Sequence, residues 1–331
     1  MKKLTKGIAA AAALALVVST GTSAHAATPK VLNLQLIAKG FTAQFWQAVK
    51  AGAVNEGKVV GAKVNFVGPP AETDIDQQLQ MLDTAIALKP DGIGYAALGT
   101  TQSLSHLAVA HKNHIPVVEF DTRAGSATAV LGASSPIALG FAATNSLGAG
   151  AAAADQMGKL LNGTGEVIVL GHSQTNQTGI DRANGFITEI KAKFPNITLD
   201  PTVYAEGGDQ NLAQTQTQAI LTAHPKIAGI FATNEGCAEG AGTALANNKV
   251  APGAIKLIGF DSGKLQIDHI NSGIQTGAIT QNPVGIGKLV VDSLVNYIRN
   301  KKLPKSFIDT GYYYYDKSNI TDPKIVADLY Q

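Results

Sequence analysis

From residue 31 onward the chain alternates short, continuous apolar runs with longer stretches whose apolar residues recur every three or four positions. The runs "VLNLQLI", "KVNFVG" and "GIGYAA" precede stretches of helical period at 43–60, 74–88 and 101–113, and "IPVVEF" closes this first series. A second series repeats the arrangement. "EVIVLG" precedes 179–193, "ITLDPTVYA" precedes 212–223, "IAGIFA" precedes 235–248, and "IKLIGF" precedes a short helix near 265–270. Short runs of Ile, Val and Leu bounded by Gly and Pro predict strands buried on both faces. Strands that alternate with helices of this length predict parallel sheets built from right-handed crossovers. The pattern therefore predicts an α/β protein of two successive, doubly wound parallel-sheet units.

Between the two series, "AVLGASSPIALGFAATNSLGAGAAAADQMGKLL" reads as a short strand and a long Ala-rich helix that open the second unit. Near the end, "TGAITQNPVGIGKLVVDSLVNYI" runs from strand into helix, with Pro283 suited to the first turn. The aromatic run Tyr312–Tyr315 predicts a strand with two rings on each face and a structural role.

Two of the apolar runs, in "IPVVEFDTRAG" and "IKLIGFDSG", end in Phe-Asp. A strand buried on both faces should not tolerate a carboxylate inside it, so Asp121 and Asp261 are expected just past the strand ends. Ligands of open α/β sheets bind outside the carboxyl ends of the strands, and two such units leave room for a ligand between them. The same strand ends supply Lys39 and Phe41, the pair Phe45-Trp46, Thr122 and Arg123, the loop "HSQTNQTGIDRANGF", Asn234-Glu235 and Gln281. Planar polar groups pair with adjacent hydroxyls, and aromatic rings cover apolar C–H faces, so this mixture suits a neutral polyhydroxyl compound.

The first residues, "MKKLTKGIAAAAALALVVSTGTSAHA", carry three Lys, an apolar stretch and small residues ending in Ala-His-Ala, which predicts a secretory signal peptide over 1–26 cleaved after Ala26. No later segment has the roughly 20 apolar residues that a spanning helix needs. The cleavage site offers no Cys for a lipid, which favours a free periplasmic protein over a tethered lipoprotein. The single Cys237 excludes an intramolecular disulfide, leaving stability to burial. A formal charge of +2, with 15% charged residues and no long basic run, argues against nucleic acid and against strong electrostatic capture.

Each candidate also has a structural reading. An Asp after a strand often caps the next helix, Trp46 in a first helical turn can belong to the core, and Asn234 suits an N-cap. Arg182 can pair with Asp181 or Glu189 on its own helix. The coincidence of so many polar residues at one sheet edge is what these readings leave over. Catalytic readings are weaker. The seven His show no zinc spacing, there is no G-x-S-x-G elbow or P-loop, and "GAGAAAAD" lies in a helical pattern. Asp121 and Asp261 have the residue types for glycoside hydrolysis, but nothing in their sequence neighbourhood points to the raised pKa of a general acid. No catalytic residue, metal or cofactor is expected.

At these residues the chain resembles the ribose-binding-protein branch of the type I periplasmic sugar-binding proteins. The matching pieces are "QFWQAVKAGA", "IPVVEFDT", "HPKIAGIFATNEGCAEGAGTAL", "IKLIGFDSG", "GAITQNPVGIG" and "DTGYYYYDKSNITDP". The resemblance implies two lobes joined by a three-crossing hinge, a first lobe from 27–133 plus 282–308 and a second from 134–281 plus 309–331. It also implies a sugar held in the cleft and delivery to the permease and ATPase subunits of an ABC importer, with the binding protein a monomer. It places the ligand at Phe45, Trp46, Asp121, Asn234, Phe260-Asp261 and Gln281. The family's Asp-Arg becomes Asp121-Thr122 here with Arg123 one place later, Arg182 is displaced by two residues, and "GFTAQ" replaces an Asn, leaving Lys39 or Gln44 to substitute. The expected ligand is therefore a neutral monosaccharide or sugar alcohol other than ribose, gripped by one acid from each lobe. The alternatives are a receptor for a furanosyl signal such as autoinducer-2, a secreted glycosidase, and a sugar-responsive transcription regulator. The last needs an N-terminal DNA-binding unit where the signal peptide stands.

Overall fold

The computed structural model describes residues 30–99, 101–125 and 137–330. The signal-peptide segment and the start of the linking segment lie outside the described residues. The first series forms β1 (Leu32–Ile37), α1 (Gln44–Val60), β2 (Ala62–Val67), α2 (Ile75–Ala87), β3 (Gly92–Tyr95), α3 (Leu104–Lys112) and β4 (Val117–Phe120). After β5 (Phe141–Ala143) and α4 (Ser146–Leu160) come β6 (Gly165–Gly171), α5 (Gln177–Lys193), β7 (Ile197–Leu199) and β8 (Val203–Tyr204). A 3-10 turn at Glu206–Gly208 leads to α6 (Gln210–Ala223), β9 (Ile227–Ala232), α7 (Glu235–Asn247), β10 (Lys256–Phe260), α8 (Lys264–Ser272) and β11 (Gly277–Gln281). The chain ends with α9 (Pro283–Asn300), β12 (Phe307–Asp309), β13 (Tyr312–Asp316) and α10 (Pro323–Val326).

The strands make two sheets, ordered β12-β5-β4-β3-β1-β2 and β13-β11-β10-β9-β6-β7, with β8 paired to β6. Position by position the two orders correspond, and β4 and β10, which precede Asp121 and Asp261, hold the same place in each. Among the described residues all strand pairs are parallel except the antiparallel β11–β13. Leu34, Leu36 and Ile37 of β1 and Val167, Ile168 and Leu170 of β6 are fully buried, as strands covered by helices on both faces require.

Each lobe also contains helices in backbone contact. A Cβ on Gly52 of α1 would lie 2.1 Å from the Val284 carbonyl of α9, and one on Gly185 of α5 would lie 2.1 Å from the Leu147 carbonyl of α4. Only glycine permits these approaches, which hold the helices carrying Phe45-Trp46 and Arg182 close against α9 and α4.

The structure corrects the sequence reading in three places. The strand Phe141–Ala143, assigned above to the second lobe, pairs with β4 and β12 in the first sheet, so only its helix α4 opens the second lobe. Tyr330, also assigned to the second lobe, packs in the first lobe's core against Phe45, at 6.0 Å between ring centroids. Finally, β4 does carry a carboxylate. Glu119 is completely buried, its Oε1 accepts the Ala124 N–H at 2.8 Å, and burial pushes its pKa up to about 8. The strand tolerates this acid because it is neutral at neutral pH.

Candidate ligand-binding cleft

Asp121 and Asp261 each follow a central strand and adopt positive φ, +55° and +78°. Their backbone N–H groups donate to the neighbouring strand in the same way, Asp121 to Ala142 O at 3.0 Å and Asp261 to Ile279 O at 2.7 Å. This left-handed turn is unusual for non-glycine residues, though Asp tolerates it better than most. Neither side chain caps the helix that follows its own strand. Both are buried, and both line one cleft of about 480 Å³ between the lobes, within the usual size of a small-molecule site.

Lys39, just past β1, answers Asp121. Its ammonium is 3.0 Å from Asp121 Oδ2 and 3.6 Å from Glu72 Oε2, and it donates to Thr178 Oγ1 at 3.2 Å and Asn176 Oδ1 at 3.4 Å. The last two residues begin α5, so this buried cation joins both lobes. On the other side Gln281 Nε2 donates to Asp261 Oδ1 at 2.6 Å, and the Glu235 N–H donates to Oδ2 at 3.0 Å. Arg182 stacks on Phe260, 3.6 Å from the ring centroid, donates to the Thr233 carbonyl at 2.8 Å and stands 4.0 Å from Asp261 Oδ2. The alternative pairing with Asp181 or Glu189 is not formed. Arg182 Nε and Gln281 Oε1 remain buried without protein partners, one donor and one acceptor on cleft-lining side chains.

Trp46 serves both of its readings. It is buried, packs edge-on to Phe45 at 4.9 Å and to Phe120 at 6.3 Å, yet lines the cleft and donates Nε1–H to Glu72 Oε1 at 2.7 Å. Asn234 likewise caps α7, accepting the Cys237 N–H at 3.0 Å, while lining the cleft. Four expected residues do not line the cleft. Phe41 turns to Lys50, whose ammonium is 4.8 Å from its ring centroid. Thr122 is buried and donates to Asp121 Oδ2 at 3.0 Å, holding the acid from behind. Arg123 stacks 5.5 Å from Phe141 and lines a separate cavity of about 330 Å³ with Asp181 and Phe307. Phe260 supports Arg182 without itself lining the cleft.

Glu72, Glu206, Asp209 and Glu239 line the cleft and escaped the sequence reading, although Glu72 follows β2 and Glu206 follows β8 and so obeyed the strand-end rule. Among the described residues, with Asp121, Asp261 and Glu235 they set seven acidic side chains against two cations, Lys39 and Arg182, an asymmetry that the whole-chain charge conceals. Burial, with Asp261 and Glu239 nearby, pushes Glu235 up to about 8, and burial pushes Glu239 up to about 7. His172 is held well below its ordinary pKa by burial and by the charges of Arg182 and Lys39, so it is neutral. Glu235 is not poised for proton transfer to a ligand, because its two oxygens accept the backbone N–H groups of Gln44 and Phe45, at 3.3 and 3.2 Å. Outside the cleft, Glu166, Asp200 and His224 come together in a way their spacing did not suggest, with His224 Nδ1 2.6 Å from Glu166 Oε1.

Replacing Trp46 tests its exposure to ligand. Saturating sugar should shift the emission of this sole Trp, Trp46→Phe should keep most of the affinity, and Trp46→Ala should lose about 2 kcal/mol with the ring's contact area. Normal titrations for both variants, with unchanged emission, would assign Trp46 to the core alone.

Two like-built α/β lobes that present acids to opposite sides of one cleft define a receptor that encloses its ligand. The chain belongs to the periplasmic binding protein domain family, whose sequence profile matches residues 34–302. It is a binding protein and not an enzyme. It is 28% identical to the D-allose-binding periplasmic protein of Escherichia coli over 277 residues, 82% of this chain and 86% of that protein. An ABC transporter solute binding protein from Agrobacterium vitis, bound with alpha-D-tagatopyranose, superposes with a TM-score of 0.86 at 29% identity, covering 91% of this chain and 99% of that one. A carbohydrate transporter solute binding protein from Agrobacterium radiobacter, in complex with D-arabinose, gives a TM-score of 0.84 at 28% identity over 91% and 100% of the two chains.

Proposed function

We propose that this protein is exported through a signal peptide cleaved after Ala26, captures a neutral monosaccharide or sugar alcohol as a monomer, and delivers it to an ABC importer. The observation that carries this reading is the convergence of Asp121 and Asp261, from different lobes, on a cleft that also presents Lys39, Arg182 and Trp46. Ionised Asp is acceptor-only and a sugar hydroxyl is a donor, so each acid takes charge-assisted bonds from the ligand. Arg182 Nε supplies a donor and Gln281 Oε1 an acceptor for ring or hydroxyl oxygens. A ligand held by both lobes favours the closed arrangement through the contacts that exist only there. The sugars named for the related proteins, D-allose, alpha-D-tagatopyranose and D-arabinose, support the neutral class.

The acidic lining narrows that class. The acids of that lining that stay ionised repel an anionic ligand, while the whole set leaves neutral hydroxyls well supplied with acceptors. A thermal-shift panel of pentoses, hexoses, deoxysugars, polyols and matching uronic acids tests this. A neutral member at about 1,000 times its Kd should add roughly 4 kcal/mol to stability, while the uronic acid of the same configuration should bind at least about 100-fold more weakly. Preferred binding of the uronic acid, or no response to any neutral member, would overturn the proposal.

A further inference from the structure

Two helices that begin at the mouth of the cleft lack side-chain caps of their own. The N-cap of α1 is Ala43 and that of α8 is Gly263, and neither offers a side-chain acceptor. Each helix is capped from the opposite lobe. Glu235, the first residue of α7 in the second lobe, accepts the N–H groups of Gln44 and Phe45 at the start of α1 in the first lobe. In return Gln44 Oε1 accepts the Lys264 N–H at the start of α8 at 2.7 Å. Gly263 leaves space for this exchange, since a Cβ there would stand 3.0 Å from Glu235 Oε1.

We propose that Glu235 and Gln44 form a reciprocal capping latch, two positioning residues that stabilise the closed arrangement of the lobes before any ligand arrives. The first N–H groups of a helix have no partner within it, so acceptor oxygens supplied by the other lobe satisfy them. When the lobes part, both helix starts exchange these acceptors for water, so the caps stabilise only the closed form. The Glu235 N–H also donates to Asp261 Oδ2 at 3.0 Å, which ties the latch to the acid that faces the ligand. The consequence for affinity rests on the capture function proposed above: a ligand that prefers the closed form binds more tightly when part of the population is already closed.

The test measures interlobe distances by pulsed electron spin resonance, with labels on Gln77→Cys and Asn211→Cys, exposed positions in the first turns of α2 and α6. The native Cys237 is fully buried. Without sugar, the otherwise unaltered protein should show a short-distance, closed population. Glu235→Ala should lower the closed-to-open ratio about fivefold, the loss expected for one helix cap. Glu235→Gln, which keeps an acceptor oxygen, should restore part of it, and adding Gln44→Ala should lower it further. Should Glu235→Ala fail to fold, Gln44→Ala on the partly exposed first turn of α1 carries the same measurement. An unchanged ratio in the folded variants, or an unaltered protein that is wholly open without sugar, would overturn the latch. The sugar-free ratio decides this point alone, whereas failure of every neutral sugar to shift the distances would instead overturn the capture reading.

Discussion

Asp261→Asn is expected to weaken sugar binding by about 2–4 kcal/mol while leaving the lobes folded. The carboxylate serves three neighbours: Gln281 Nε2 on one oxygen, the Glu235 N–H on the other, and the Arg182 guanidinium 4.0 Å away. An amide keeps the shape but turns one acceptor into a donor, which then faces either the Gln281 amide or the Glu235 N–H. It also leaves Arg182, buried against Phe260, without its nearby countercharge. Asn is the informative substitution because φ at this position is +78°, a conformation that Asn tolerates better than Ala. Asp261→Ala would add backbone strain to the loss of the acceptor. Calorimetric titration with the best neutral ligand from the thermal panel reads the effect, and an unchanged Kd in a folded variant would remove Asp261 from the binding contacts.

Lys39→Met should reduce affinity by about 3–5 kcal/mol, since removing one partner of a buried ion pair leaves the other charge uncompensated. Two acids depend on this ammonium, Asp121 at 3.0 Å and Glu72 at 3.6 Å, and it also bonds to Asn176 and Thr178 of the second lobe. The variant should relieve the stranded charges by opening the cleft to water, which separates ligand binding from the stability of each lobe. A double-mutant cycle sharpens the test. Lys39→Met with Asp121→Asn should lose less than the sum of the two single losses, because the second change neutralises the charge that the first one strands. Strictly additive losses would show that the two residues contact the ligand independently, against the pairing described here.

Some of the cleft was legible along the chain because its logic is local. A Phe-Asp at the end of a buried run places an acid at a sheet edge wherever the run pairs, and Lys39, Asn234 and Gln281 follow from the same strand-end rule. Single-residue offsets were less legible. Arg123 looked like a displaced ligand contact, but one step along the chain past Asp121 it faces the cavity beside Phe141, while Thr122 bonds to the acid itself. Arg182, displaced by two residues in sequence, is directed into the cleft because α5 packs backbone-close on α4 and Phe260 receives its guanidinium.

The order of apolar runs and helical stretches by itself determined the alternating strands and helices, their two similar series and the mirrored pair of acids, because period and burial are properties of neighbouring residues. Only the tertiary structure decided that Phe141–Ala143 joins the first sheet, since strand pairing is a choice among distant partners of similar apolarity. It alone brought Glu72, Glu206, Asp209 and Glu239 to one acidic cleft in a chain whose formal charge is +2. It alone set Glu235 on a helix of the opposite lobe, because the reach of a carboxylate across a cleft depends on where two lobes come to rest and leaves no spacing in the sequence.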